Sequence, residues 1–116
     1  MGNNNLLLEN IIEGILEKKG KEIVDLDLRK INNSICDHFV ICHANSNTQV
    51  NAIADSIEKK VKENMNQKVM HREGMENATW VLLDFSNIVV HIFQEEIRNY
   101  YKLEELWGDA HITHYD

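Results

Sequence analysis

The chain has 116 residues, 43% hydrophobic and 27% charged, with a formal net charge of −7, which fits one domain around one core. No apolar run approaches the roughly 18 residues that a membrane-spanning helix needs. The opening Met1-Gly2-Asn3-Asn4-Asn5-Leu6 lacks the basic start and apolar stretch of a signal peptide, and Leu6 stands where a myristoylation signal carries Ser or Thr. The expected location is the cytoplasm, with no membrane contact. The acidic balance argues against nucleic acid as the main partner, because phosphates call for a basic patch. The charge is uneven: residues 1–70 carry nine Lys/Arg against ten Asp/Glu, and residues 71–116 carry three against nine. Such a C-terminal excess is either a solvated surface or a face for a basic protein partner, where opposite charge speeds encounter and sets register.

In chain order, Leu8, Ile11, Ile12, Ile15 and Leu16 recur at helical spacing with Glu9, Glu13 and Glu17 between them, and Gly20 is a plausible stop. A strand follows over Ile23–Leu28, alternating apolar and acidic. Its Asp25 and Asp27 point the same way, as do carboxylates that hold Mg²⁺ for phosphoryl chemistry. The plainer reading is the solvent-facing side of an exposed, alternating edge strand, and no Gly-rich phosphate loop accompanies them. Cys36 and Cys42 are too few and too oddly spaced for a disulfide framework or a redox pair, so they are expected to be reduced and partly buried. Phe39-Val40-Ile41-Cys42 reads as a strand covered on both faces. Ser46-Asn47-Thr48-Gln49 fits a capping box that opens a helix with Val50, Ile53, Ala54, Ile57 and Val61 inside and Lys59, Lys60 and Lys62 outside.

A weak strand is expected at 68–72, and Gly74 begins a loop. Two stronger strands, 80–85 and 88–93, are separated by Ser86-Asn87 alone, which is hairpin spacing. Residues 95–107 read as one or two helical segments ended by Gly108, and residues 109–116 as a polar tail. His111 and His114 lie in that tail, while His38, His43, His71 and His91 are scattered without ligand spacing, so no metal site is expected. With no Pro, linker or repeat, residues 1–116 form one domain with its core over 5–108. The predicted architecture is α/β (α+β), a mixed five-stranded sheet with packed helices, in which the strand–helix–strand step across 39–72 places its two strands parallel by a right-handed crossover.

The hairpin has two unlike faces. If Phe85 pairs with Ile88, then Val81, Leu83, Phe85, Ile88, Val90 and Ile92 share a wholly apolar face that belongs under helices. Trp80, Leu82, Asp84, Val89, His91 and Phe93 share the other. Asp84 and His91 would be costly in a dry core without partners, so this face is expected to meet water or another protein. A Trp, a Leu and a Phe beside a few polar groups have the composition of a binding hot spot. The alternative is that the C-terminal helix folds back over this face and buries it.

Several ordered stretches together resemble the Iojap, or ribosomal silencing factor, family. They are Asp37-His38-Phe39-Val40-Ile41-Cys42, Ser46 through Asp55, His71-Arg72-Glu73-Gly74, Trp80 through Phe85 running into Val89 through Phe93, and Arg98 through Trp107. The resemblance implies a nucleotidyltransferase-like fold that lacks the catalytic motif, and indeed no Gly-Ser pair precedes the Asp25/Asp27 strand. It implies a translation repressor without catalytic residues or cofactor. The repressor would bind the large ribosomal subunit through its basic ribosomal protein number fourteen and sterically block the small subunit, lowering translation when nutrients are scarce. By position the family's exposed sheet Trp is Trp80, with Leu82 and Asp84 as companions; His91, Phe93 and Glu73 complete the expected partner-binding set. His38 stands where the family commonly has Tyr, and Ser86-Asn87 where it has Gly-Asp. Competing readings are a metal-dependent nucleotidyltransferase-like enzyme using Asp25 and Asp27, and a homodimer formed by the free protein through the same sheet face.

Overall fold

The computed structural model describes residues 2–31 and 36–115. The chain runs α1 (Gly2–Glu17), β1 (Lys21–Asp27), β2 (His38–Ala44), α2 (Asn47–Met65), β3 (His71–Glu73), β4 (Trp80–Asp84), β5 (Ile88–Gln94) and α3 (Glu95–Tyr101). A 3-10 turn over Leu103–Trp107 leads into β6 (His111–His114). The strands form one mixed sheet in the order β3-β4-β5-β2-β1-β6.

The sheet thus has six strands, not five. The extra one, β6, lies in what reads as a polar tail: it is short, mostly exposed, and pairs antiparallel with β1, Asp27 opposite His111 and Val24 opposite His114. An edge strand buries little, so its sequence carries little hydrophobic signal. The parallel neighbour of β2 also differs from expectation. It is β5, paired from His38–Ile88 to Ala44–Gln94, and not β3. Strands β4 and β5 are inserted between β2 and β3, so the parallel connection spans α2 and the whole β3–β4 hairpin.

Helices α1 and α2 cover one side of the sheet. Ile11, Ile15, Ile53, Ile57, Val40, Val90, Val81 and Leu83 form that core, and each of them is fully buried. The two helices approach closely at Gly14, where an added Cβ would lie 2.9 Å from Ile57 Cα. The Ser56 hydroxyl donates to the Gly14 carbonyl there at 2.9 Å. At the start of α2, Ser46 Oγ accepts from the Gln49 amide at 3.1 Å. The Gln49 side chain does not return to Ser46; its amide donates to the Lys18 carbonyl at 3.1 Å and ties α2 to the end of α1.

The opposite side of the sheet carries a second core. Val24, Leu26, Leu28, Phe39, Ile41, Val89 and Phe93 pack beneath Ile97, Leu103, Trp107 and Ala110 from the C-terminal segment. Lys102, at φ 49°, ends α3 in the left-handed conformation and turns the chain so that Leu103 and Trp107 reach back over the sheet.

Candidate functional site

The hairpin forms in the expected register, Trp80 opposite Phe93, Leu82 opposite His91 and Asp84 opposite Val89. Ser86 takes φ 77° in the two-residue turn, and Asp84 Oδ1 accepts from the Ser86 amide at 2.7 Å. As alternation requires, Val81, Leu83, Phe85, Ile88, Val90 and Ile92 are buried under α1 and α2.

The other face divides in two. Over β5, β2 and β1 the C-terminal segment covers it, and His91 and Phe93 are buried, Phe93 completely. Their expected exposure is therefore corrected: Ile97, Leu103 and Trp107 supply the apolar cover that β5 would otherwise lack. Over β4 the cover is only partial, Tyr101 packing on Trp80 while Trp80 and Leu82 lie at the rim of this core. Trp80, Leu82 and Asp84 remain half-buried, and Glu73, opposite Leu82 on β3, is exposed beside His71, whose Nε2 lies 2.7 Å from its carboxylate.

Trp80 is held from several sides. Its indole N–H donates to His91 Nδ1 at 3.1 Å, its ring lies 4.9 Å from that of Phe93, and Tyr101 packs against it at 5.0 Å. Behind it, Gly74 at φ 82° passes so close to the Trp80 carbonyl that a Cβ would collide with it. Burial pushes the His91 imidazole down to about 4, so at neutral pH its Nδ1 is a free acceptor for the indole.

Tyr100 and Tyr101 are functional candidates that the sequence reading passed over. Tyr100 is 80% exposed and Tyr101 51%, and their rings meet edge to face at 5.1 Å. With Trp80 they make a continuous aromatic ledge along the uncovered edge of the sheet. A Tyr-Tyr pair at a helix end has the same helical spacing as covered positions; it stays outside through the docking of α3 and the chain turn at Lys102 that follows. The ledge is positioned by Arg98, a buried cation one turn earlier. Its guanidinium donates to the Glu22 carbonyl at 2.7 Å, to His43 Nδ1 at 3.0 Å and to the Glu104 carboxylate at 2.8 Å. This one side chain fastens α3 to β1, β2 and the 3-10 turn.

These features can be set beside known proteins. The model of the family described as "Ribosomal silencing factor during starvation" matches residues 3–116. The chain belongs to that family. It is 43% identical over 107 residues to the ribosomal silencing factor of Halalkalibacterium halodurans, covering 92% of this chain and 90% of that protein. The factor of Bacillus subtilis is 44% identical over 100 residues, covering 86% and 83%. Maize chloroplastic protein Iojap is 40% identical over 72 residues, which is 62% of this chain and 31% of the longer plant protein. A crystal structure of a Chromobacterium violaceum protein superposes with a TM-score of 0.84 at 36% identity, covering 90% of this chain and 85% of that one. One from Bacillus halodurans gives 0.78 at 39% identity, covering 89% and 94%.

Within this silencing-factor fold, the Asp25/Asp27 strand is not an exposed edge. Strand β1 lies between β2 and β6, and Asp25 is buried, its carboxylate 2.9 and 3.1 Å from His38 Nδ1. That partner raises the His38 imidazole above its ordinary value. Asp27 takes Arg29 as a fork, at 2.7 and 2.9 Å, and its carboxyl is held far below the usual range chiefly by that guanidinium. Each carboxylate is thus engaged by a base of its own chain. Among the described residues no group of three or more His, Cys, Asp or Glu is placed to hold a metal ion, and no helix is long and apolar enough to cross a membrane. Cys36 and Cys42 are both buried and not joined in a disulfide, and burial pushes the Cys36 thiol up to about 11.

Proposed function

We propose that this protein is a translation regulator that binds the large ribosomal subunit through its ribosomal protein number fourteen and keeps the small subunit from joining. The observation that carries the reading is the open face of β4: Trp80, Leu82 and Asp84 half-exposed, Glu73 beside them on the edge strand β3 and Tyr101 against Trp80, where the rest of that face is covered. Membership of the silencing-factor family supports a contact with the ribosome.

Trp80 and Leu82 provide the apolar anchor, and Asp84 and Glu73 face Lys or Arg on a basic protein. His91 and Phe93 act from beneath, orienting the indole rather than touching the partner. A rigid indole at the centre of a contact commonly accounts for at least about 2 kcal/mol of binding. The mechanism needs no catalytic group or cofactor. A body of 35 × 34 × 25 Å seated on the intersubunit surface fills space that the small subunit must occupy. When the protein is free in the cytoplasm, the same ledge is the face through which two copies would pair, and ribosomal protein would displace the second copy.

The test is sedimentation with purified subunits. The protein should travel with large subunits and not with small ones. Migration with neither would overturn the reading.

A further inference from the structure

A protein of net charge −7 that settles on a ribosomal subunit meets a surface made largely of RNA phosphate. Repulsion from that surface would offset the attraction of one basic protein unless positive charge faced the RNA. Strand β3 separates the charges. Its His71 and Glu73 stand opposite Asp84 and Leu82, on the side of the aromatic ledge. Arg72 stands opposite Leu83, on the side of α2. There Arg72 joins Lys59, Lys62 and Lys68 around a shallow groove that also holds Glu58 and Val69.

All four cations are exposed. The Arg72 guanidinium engages Glu58 at 3.2 Å, and Lys62 Nζ donates to the Asn66 side chain at 3.2 Å. Four positive groups against one carboxylate make the groove net positive, with Asp55 and Glu63 lying beyond Lys59, in a chain whose remainder is acidic. Because the groove and the ledge lie on opposite sides of the same short edge strand, a particle surface that meets this edge can touch both.

We infer that the groove formed by Lys59, Lys62, Lys68 and Arg72 is a second contact of this protein, a seat for the phosphodiester backbone of ribosomal RNA next to the protein partner of the β4 face. This rests on the ribosome-binding reading above. The RNA contact is sequence-independent: flexible ammonium groups neutralise phosphates and release their counterions, and they read no base. The acidic ledge selects the protein and the basic groove selects its RNA neighbour, so a bare basic protein or bare RNA satisfies only half of the surface.

The experiment compares the full-length protein with the Lys59→Ala/Lys68→Ala double variant, whose altered side chains are exposed, over a series of KCl concentrations. Binding is measured to purified large subunits and, separately, to isolated ribosomal protein number fourteen. The double variant should bind subunits several-fold more weakly at low salt. Its log–log salt slope should be shallower by about two, roughly one per lost phosphate contact. Its affinity for the isolated ribosomal protein should equal that of the wild type. Lys68→Ala alone, outside any helix or strand, should give about half the change in slope and guards against a folding effect of the helix substitution. Unchanged affinity and slope on subunits would overturn the inference. Equal weakening towards the isolated protein would overturn it too, by assigning the lysines to a protein contact. Wild-type protein that binds neither target would instead remove the underlying ribosome-binding reading.

Discussion

Trp80 gives its indole N–H to Nδ1 of His91 at 3.1 Å, so the proposed anchor of the binding face is oriented by a buried imidazole on the neighbouring strand. The bond requires neutral His91. Burial holds that imidazole at about 4 in the folded protein, against about 6.5 in an unfolded chain. The unfolded state therefore takes the proton first as pH falls. The stabilisation is complete above pH 6.5 and is lost as pH falls from there towards 4, by about 2 kcal/mol at pH 5. Urea unfolding at pH 7 and pH 5 should show this difference in the wild type and a smaller one in His91→Gln. Equal pH dependence in both would show that His91 is not the titrating group.

The Asp25–His38 pair makes a contrasting prediction. An exposed edge would tolerate Asp25→Asn, but both side chains are buried. Leaving His38 without its carboxylate should cost about 3–5 kcal/mol of folding stability. Because Asp25 raises His38, the pair's contribution is fully present below about pH 6.5 and declines as pH rises through the raised value. Histidine resonances followed by NMR should show the His38 titration move down in Asp25→Asn. Asp27→Asn, whose Arg29 partner is exposed, should leave the unfolding midpoint nearly unchanged. An Asp25→Asn protein as stable as the wild type would contradict the structural role given to the pair.

Adjacent residues on β4 should separate binding from folding. Leu83 is fully buried under the helices, and Leu83→Ala should lose about 2–5 kcal/mol of stability while molecules that remain folded still bind. Leu82→Ala on the opposite face should unfold close to the wild-type temperature and bind large subunits at least about tenfold more weakly, as loss of an interface anchor implies. Trp80→Ala should show both effects, since Phe93 and Tyr101 pack on the ring. Leu82→Ala and Leu83→Ala behaving alike would mean that the two faces are not distinct.

The acidic edge should act over distance. Screening lengths fall from roughly 30 Å at 0.01 M salt to about 10 Å at 0.1 M, so association with isolated ribosomal protein number fourteen should slow across that range. Stopped-flow rates that stay flat would leave the apolar anchor as the whole of the attraction.

Strong patterns carried well from sequence to fold. The alternation of β4 and β5 with a two-residue turn fixes which face each side chain takes, and the helical stripe from Val50 to Val61 is buried as its spacing implies. What failed to carry was long-range placement. Nothing local tells Asp25 that His38 will lie beside it, or tells the His111–His114 segment that β1 has a vacant edge. The candidate face was legible as a composition and not as a boundary. His91 and Phe93 have the same alternation as Leu82 and Asp84, and only the left-handed turn at Lys102 and the docking of Arg98 decide which of them are covered. The same turn leaves Tyr100 and Tyr101 outside.

The most direct test of the central claim is light scattering during reassociation of purified ribosomal subunits. Large subunits are mixed first with wild-type protein or with Leu82→Ala, and small subunits are then added. Wild-type protein should suppress the rise in scattering in proportion to its occupancy of large subunits. Leu82→Ala should restore joining at the same concentration, and excess isolated ribosomal protein number fourteen should relieve the wild-type block. Full subunit joining in the presence of saturating wild-type protein would contradict the account.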